Sequence, residues 1–131
     1  AGHEVLGHSY SHTKFTTMSA DRMRREIQST TAVLPLARRK ALRPPGGAFS
    51  ASTLIRTALL GYSTILWSHD SKDAIERDPA VVSANLENSR NGDIVLLHEG
   101  QPWTLAALEQ AVPRLRDRGF ELVTVGELLG W

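Results

Sequence analysis

Short apolar runs alternate along the chain with longer segments in which apolar residues recur every three or four positions. The short runs predict β-strands, at residues 3–7, 42–43, 62–67, 94–97 and 120–125. The longer segments predict helices, over residues 20–34, from a cap at Ser50 or Ser52 to about 60, and over 79–89, 103–118 and 126–129. The run at 94–97 is apolar throughout, which is typical of a strand buried on both faces.

Local signals set the expected ends of these elements. Ser19 and Asp78 are predicted N-caps, because their side-chain oxygens can accept hydrogen bonds from the first helical turn. Pro35 is expected to end or bend the first helix, and Gly7 is expected to let the chain turn sharply after the first strand. The first helix is expected to bury one face, formed by Met23, Ile27, Val33 and Leu34.

Strands that alternate with helices indicate βα units and a mainly parallel sheet, hence an α/β fold. A closed (β/α) barrel usually needs about 200 residues or more, whereas this chain has 131. We therefore interpret residues 1–131 as one domain whose beginning is missing.

Composition narrows the functional classes. The net charge is +1, with acidic and basic residues interleaved, which gives no reason to expect nucleic acid or an anionic membrane as partner. The chain has no cysteine, so disulfides and thiolate chemistry are excluded. No run approaches the ~20 apolar residues of a membrane span, and the polar start does not predict a signal peptide.

Polar side chains concentrate where the predicted strands end, and in a parallel barrel such positions share one rim. They are His8 and His12, then residues 43–47, then Ser68, His69, Asp70 and Asp73, then His98 and Glu99. His8 and His12 are four residues apart, so on a helical turn or a similar loop both imidazoles can reach one divalent ion such as zinc. The alternative is a solvated turn without metal.

Four motifs in this order resemble the polysaccharide deacetylases, also known as carbohydrate esterase family four or the NodB homology domain. They read GHEVLGHSYSH at residues 2–12, LRPPGG at 42–47, WSHDSKD at 67–73 and IVLLH at 94–98. The end of the chain, RGFELVTVGELL at 118–129, resembles the closing segment of the same family. The resemblance implies a distorted (β/α) barrel, to which this chain supplies the later βα units.

The resemblance also implies a catalytic machinery. His8 and His12 match the histidine ligands of one divalent metal ion, usually zinc, which polarises the acetyl carbonyl and holds the attacking water. His98 matches the general acid that protonates the leaving group. Asp73 matches the acid that orients this histidine, and Arg43 matches the arginine that orients the catalytic aspartate.

Substrate contacts follow from the same motifs. Leu96 matches the apolar side chain of the acetyl pocket, and the loop at Pro45 and Gly46 matches the one that offers a backbone N–H to the oxyanion. Trp67 is kept as a substrate-binding candidate, although packing is the simpler interpretation of its ring.

Each role has a structural alternative. His98 could be a hydrogen-bonded core histidine, and Arg43 could cap a helix C-terminus. Asp70 and Asp73 could be loop acids that stabilise turns.

The sequence departs from the family pattern in three places. The Thr-Phe-Asp-Asp motif, which supplies the catalytic base and the third protein ligand of the metal, is absent, and the chain has no Asp-Asp pair. We therefore expect the N-terminal portion of the domain to lie outside these 131 residues, for example on a separate chain. We also expect this chain to be inactive by itself. Gly46 replaces a tyrosine, and Ala74 replaces a tryptophan.

The sequence thus predicts metal-dependent hydrolysis of acetyl groups from a polysaccharide or oligosaccharide, such as chitin, peptidoglycan or acetylated xylan. Export to the cell surface or beyond is expected from such substrates. Two alternatives stay open: a non-catalytic carbohydrate-binding relative, and a deacylase of a small amide.

Overall fold

The computed structural model describes residues 2–34 and 39–131, and the chain forms two compact units, Ala1–Leu66 and Trp67–Trp131. Pro35, expected to end the first helix, lies outside the described residues. In the described part of the chain, no helix is both long enough and apolar enough to cross a membrane.

Apart from two short 3₁₀-helices at Phe15–Thr17 and Pro45–Gly47, the described residues of the first unit form two α-helices and two short parallel strands. They are α1 (Ala20–Val33), β1 (Ala41–Leu42), α2 (Ala51–Leu59) and β2 (Ser63–Thr64). β1 pairs with β2 in parallel, and Leu42 forms an isolated parallel bridge with Gly7. Its core consists of Phe15, Met18, Met23, Ile27 and Leu42.

Helix α1 begins and buries residues largely as its sequence predicts. The Ser19 hydroxyl accepts a hydrogen bond from the Arg22 N–H, and Met23 and Ile27 are buried. Val33 was expected on the same face but is 60% exposed, and the buried stripe continues through Thr30 instead. Thr30 can be buried there because its hydroxyl donates to the Glu26 carbonyl within the helix.

The strand predicted over residues 3–7 is wrong except for its last residue. The Gly7 N–H donates to the Ala41 carbonyl and the Gly7 carbonyl accepts from the Arg43 N–H. The reason for glycine is also different from the expected sharp turn. A Cβ at position 7 would lie 3.3 Å from the Leu42 Cβ, so glycine allows this segment to approach β1 closely.

The second unit contains three helices and a second pair of parallel strands. The elements are β3 (His69–Asp70), α3 (Pro79–Glu87), β4 (Val95–Leu96), α4 (Pro102–Asp117) and α5 (Val125–Leu128). β3 pairs with β4 in the register His69 to Val95 and Asp70 to Leu96. Helices α3 and α4 share an apolar cluster in which Ala107 and Ala111 face Val82 and Leu86, and the small alanines let the helices lie close together.

Several strand predictions fail here and at the boundary of the units. Of residues 62–67, only Ser63–Thr64 form a strand, whereas His69–Asp70, expected in a loop, form β3. The run at 94–97 is half-buried rather than buried on both faces. Residues 120–124 form no strand, and the Thr124–Glu127 capping box begins helix α5 at Val125.

Replacing Met23 by alanine should lower the free energy of unfolding of the first unit by about 2–5 kcal/mol, the usual cost of deleting a buried methionine side chain. Met23 is 0% exposed and central to the core. Arg25→Ala, on the exposed face of the same helix, is the matched control and should change the stability little. Chemical denaturation followed by circular dichroism measures both, and equal effects would contradict this assignment of the core.

Candidate active site

His8 and His12 lie on one loop, and their rings are close enough to share an ion. The ring centroids are 5.0 Å apart and the ring planes are inclined by 59°. Two imidazole nitrogens that bind a tetrahedral zinc ion at about 2.0–2.1 Å place their ring centroids about 5 Å apart. The four-residue spacing is thus realised in a loop, the second of the two geometries considered above.

A backbone carbonyl determines which nitrogen of His8 carries the proton. The His8 Nδ1 lies 2.8 Å from the carbonyl oxygen of Arg43. Because a carbonyl can only accept, Nδ1–H is the donor and the neutral ring keeps its lone pair on Nε2. This is the arrangement of a metal-ligating histidine with an outer partner.

The backbone between the two histidines adopts an uncommon conformation. Ser9 and His12 have φ angles of 65° and 58°, a region that costs non-glycine residues about 1–3 kcal/mol each. The Ser9 hydroxyl accepts a hydrogen bond from the His12 N–H at 3.0 Å. Other contacts must therefore hold this loop in place.

Glu26, on helix α1, supplies such contacts and was missed in the sequence. Its Oε2 accepts from the backbone N–H groups of Tyr10 and Ser11 at 3.0 and 2.8 Å, and its Oε1 accepts from the Ser11 hydroxyl at 2.8 Å. The bond from the Ser11 backbone, above all, lowers the pKa of Glu26. The only signal for this role in the sequence was the position of Glu26 in the predicted helix, near the start of the buried stripe.

The histidine pair fits one part of a zinc site. Both rings are exposed, and imidazole is a suitable ligand for zinc. Across residues 2–34 and 39–131, however, no group of three or more His, Cys, Asp or Glu side chains forms a metal site. The described residues therefore provide two ligands rather than a complete set.

The Arg43 loop lies beside this pair in the same unit. Arg43 is half-buried, and burial lowers the pKa of its guanidinium, which nevertheless stays charged. Pro45 is buried, and Gly46 has φ 60° and ψ 18°. A Cβ at Gly46 would lie 3.4 Å from the Lys14 Cε, so the conformation, more than space, favours glycine. The predicted roles of these residues in catalysis and substrate binding stay predictions.

The second unit brings Asp73 and His98 together. The Asp73 Oδ1 accepts from His98 Nδ1 at 2.8 Å, and Oδ2 accepts from the His98 backbone N–H at 2.6 Å. With Nδ1 bound to the carboxylate, the other ring nitrogen, Nε2, is the one available for proton transfer, and the side chain is 45% exposed. The alternative of a core histidine does not fit this exposure.

The Asp73 carboxylate is buried but well supplied with donors. It is 0% exposed, and Thr104 also donates to its Oδ2 at 2.9 Å. Burial acts to raise the pKa of Asp73, but the hydrogen bonds from the His98 imidazole, the His98 backbone and Thr104 outweigh it and lower the pKa. Asp73 is therefore ionised at neutral pH.

The first turn of helix α4 completes the support of Asp73, and this role was not predicted. Trp103 Nε1 donates to the Asp73 carbonyl at 2.8 Å, while Thr104 binds the carboxylate. Trp103 also packs against the core of this unit. This first turn lies four to six residues after His98 in the sequence. That closeness is the signal that could have suggested its contact with Asp73.

The remaining candidates have simpler surroundings. Leu96 lies in β4 opposite Asp70 and is half-buried. Trp67 is half-buried and lies outside any strand. Asp70 accepts from the Lys72 ammonium and backbone, as the alternative interpretation as a turn acid predicts, whereas Asp73 does more than stabilise a turn. The substrate-binding roles of Leu96 and Trp67 stay predictions.

Comparison with known proteins identifies the family. The profile described as polysaccharide deacetylase matches residues 1–65. A curated relative, the peptidoglycan-N-acetylglucosamine deacetylase of Bacillus cereus, is 33% identical over 136 residues, which cover 98% of this chain and 64% of the relative. The chain belongs to the polysaccharide deacetylase family. This confirms the resemblance seen in the four motifs.

Solved structures of polysaccharide deacetylases and their relatives show the same fold. A structure described as T48 deacetylase with substrate matches with a TM-score of 0.87 and 32% identity, covering 98% of this chain and 65% of that one. A CE4 family pseudoenzyme from Bacillus anthracis matches with a TM-score of 0.84 and 25% identity, covering 96% and 46%. The predicted distorted (β/α) barrel of the NodB type, with this chain as its later units, is confirmed. The chain spans less than two thirds of the length of each of these proteins.

The stability of the second unit should depend on pH through Asp73. Because the folded-state pKa of Asp73 is lowered, its bonds add stability that is fully present above the ordinary value of about 3.9 and is lost as the pH falls below it. Asp73→Asn should be less stable at pH 7, by about 1–3 kcal/mol, and should lose less stability in acid. Urea titrations at pH 7, 5, 4 and 3 measure this.

Tryptophan fluorescence suits this measurement, because all three tryptophans, Trp67, Trp103 and Trp131, lie in the second unit. The matched control is Asp117→Asn, which removes an exposed carboxylate from the end of α4 and should keep the acid dependence of the wild type. An unchanged acid dependence in Asp73→Asn would contradict the role of this carboxylate.

Proposed function

We propose that this chain takes part in the metal-dependent hydrolytic deacetylation of an acetylated polysaccharide. The observation that carries the proposal is the pairing of His8 and His12, with ring centroids 5.0 Å apart and the Nδ1 of His8 bound to a carbonyl. The hydrogen-bonded pair of Asp73 and His98 supports it with a group suited to proton transfer. Membership of the polysaccharide deacetylase family gives the reaction class.

His8, through its Nε2, and His12, through one of its ring nitrogens, would hold a divalent ion, which we propose to be zinc. When bound, such an ion polarises a carbonyl oxygen and acidifies a coordinated water. The chain's own contribution is to keep the two rings oriented, which the Arg43 carbonyl does for His8. Arg43 would further position a catalytic carboxylate, since its charged fork suits bidentate binding.

His98 would act as the general acid. The Asp73 carboxylate holds the ring through Nδ1, so Nε2 is the nitrogen that can donate a proton to the departing amine or alkoxide. The buried position of Asp73 fixes this orientation, since three donors hold the carboxylate in place.

The proposed substrate is an N-acetylglucosamine polymer such as peptidoglycan or chitin, with acetylated xylan as another member of the class. The name of the Bacillus cereus relative supports the first of these. Leu96, Pro45, Gly46 and Trp67 are the proposed substrate contacts. Such polymers lie at or beyond the cell surface, and we infer that the protein acts there.

Zinc binding should depend on both histidines of the loop. In isothermal titration of the purified chain with zinc, His8→Ala and His12→Ala should each weaken binding by about 10-fold or more, because each removes one ligand. His3→Ala removes an exposed histidine from the preceding segment and serves as control. Wild-type affinity in His12→Ala would contradict a shared ion.

In an active preparation of the protein, His98→Ala should lower kcat by about 10²–10⁴-fold, the usual contribution of general acid catalysis, and should leave zinc affinity unchanged. Release of acetate from chito-oligosaccharides, peptidoglycan and acetylated xylan measures the activity and ranks the substrates. Near-normal turnover would exclude His98 as the acid. Because the described residues contain no group of three or more candidate metal ligands, we expect no turnover from this chain by itself.

A non-catalytic carbohydrate-binding protein is the second candidate, and the likeness to a CE4 family pseudoenzyme supports it. Binding of chito-oligosaccharides without acetate release, even when a catalytic aspartate is supplied by the rest of the domain, would favour this candidate. Turnover of small acetamides but not of polymers would instead favour a small-amide deacylase.

A further inference from the structure

We propose that Glu26 is a positioning residue that fixes the His8–His12 loop in its metal-binding conformation and thereby sets the affinity for the ion. This inference rests on the proposed metal site. Glu26 would not touch the ion, because it contacts the loop only at Tyr10 and Ser11, between the two histidines.

The three contacts of Glu26 are strongest with a carboxylate. Two backbone N–H groups donate to Oε2 and one hydroxyl donates to Oε1. An ionised carboxylate only accepts, so it satisfies all three donors at once. Glutamine has the same shape, and its NH₂ group could donate to the Ser11 hydroxyl, but it loses the charge that strengthens the two bonds from the backbone N–H groups.

Glu26 is itself held firmly. It lies on α1 beside Ile27 and one turn after Met23, which are both buried in the core of the first unit. The Thr30 hydroxyl donates to the Glu26 backbone carbonyl one turn later. The helix therefore offers the loop a carboxylate at a fixed position.

His12 depends on this support more than His8 does. The His8 ring is bound directly to the Arg43 carbonyl and follows the Gly7 bridge to β1. In the part of the chain that the structure describes, the His12 N–H donates to the Ser9 hydroxyl and the His12 ring lies near the His8 ring. Because both Ser9 and His12 have positive φ angles, the geometry of His12 relies on the Glu26 contacts with the two residues between them.

The test compares Glu26→Gln and Ser11→Ala with the wild-type chain. Asp21→Asn is the matched control for charge, because it removes a carboxylate from the same helix. In the described part of the chain, the Asp21 carboxylate pairs only with Arg24. Zinc affinity by isothermal titration should fall about 10-fold in Glu26→Gln, the scale seen for outer partners of metal ligands. It should fall less in Ser11→Ala, which keeps both backbone bonds, and stay unchanged in Asp21→Asn.

Amide hydrogen exchange without metal separates positioning from a general loss of stability. In Glu26→Gln, the Tyr10 and Ser11 amides should exchange faster while the amides of Met23 and Ile27 keep their protection. Faster exchange throughout the helix would indicate a merely structural role and overturn the proposal.

Two further outcomes are distinguishable. If Glu26→Gln binds zinc within about two-fold of the wild type, the inference on Glu26 fails while the metal site stands. If the wild-type chain binds no zinc and His8→Ala changes nothing, the metal site of the proposed function fails, and the inference on Glu26 fails with it.

Discussion

A carboxylate that accepts three hydrogen bonds holds the candidate functional side chains in each unit. In the first unit it is Glu26, whose bonds fix the loop between His8 and His12. In the second it is Asp73, whose bonds fix His98 and the start of helix α4. Glu26 lies on helix α1, and Asp73 is bound by Thr104 of helix α4, so in each unit a packed helix supports a segment that carries an exposed histidine.

This arrangement reconciles two opposing requirements. A histidine that binds an ion or transfers a proton must be reachable from solvent, and His8, His12 and His98 are all exposed. An exposed side chain is ordinarily free to rotate, which weakens metal binding and slows proton transfer. In the second unit the partner is buried instead of the histidine, and a buried charge with enough donors is stable and immobile. That partner is Asp73, which is completely buried.

The helices were predictable and most of the strands were not. Helix α1 follows from the Ser19 cap and the spacing of Met23 and Ile27, which are local signals. The strands are only two residues long, and a pair of this length is stabilised by the neighbouring chain more than by its own residues. This is why Gly7 pairs with β1 through a single bridge, and why His69–Asp70 form a strand although their residue types favour a loop.

The sequence by itself determined the family, the helices and the identity of the candidate chemical groups, because motif residues and helical periodicity are readable from neighbours along the chain. Tertiary structure alone decided how those groups are supported. Glu26 bonds to residues that precede it by 15 and 16 positions. Asp73 bonds to His98 and Thr104, which follow it in the sequence. These bonds join segments that are far apart in sequence. No local pattern encodes such pairs, since they arise only when packed helices bring a carboxylate next to a loop.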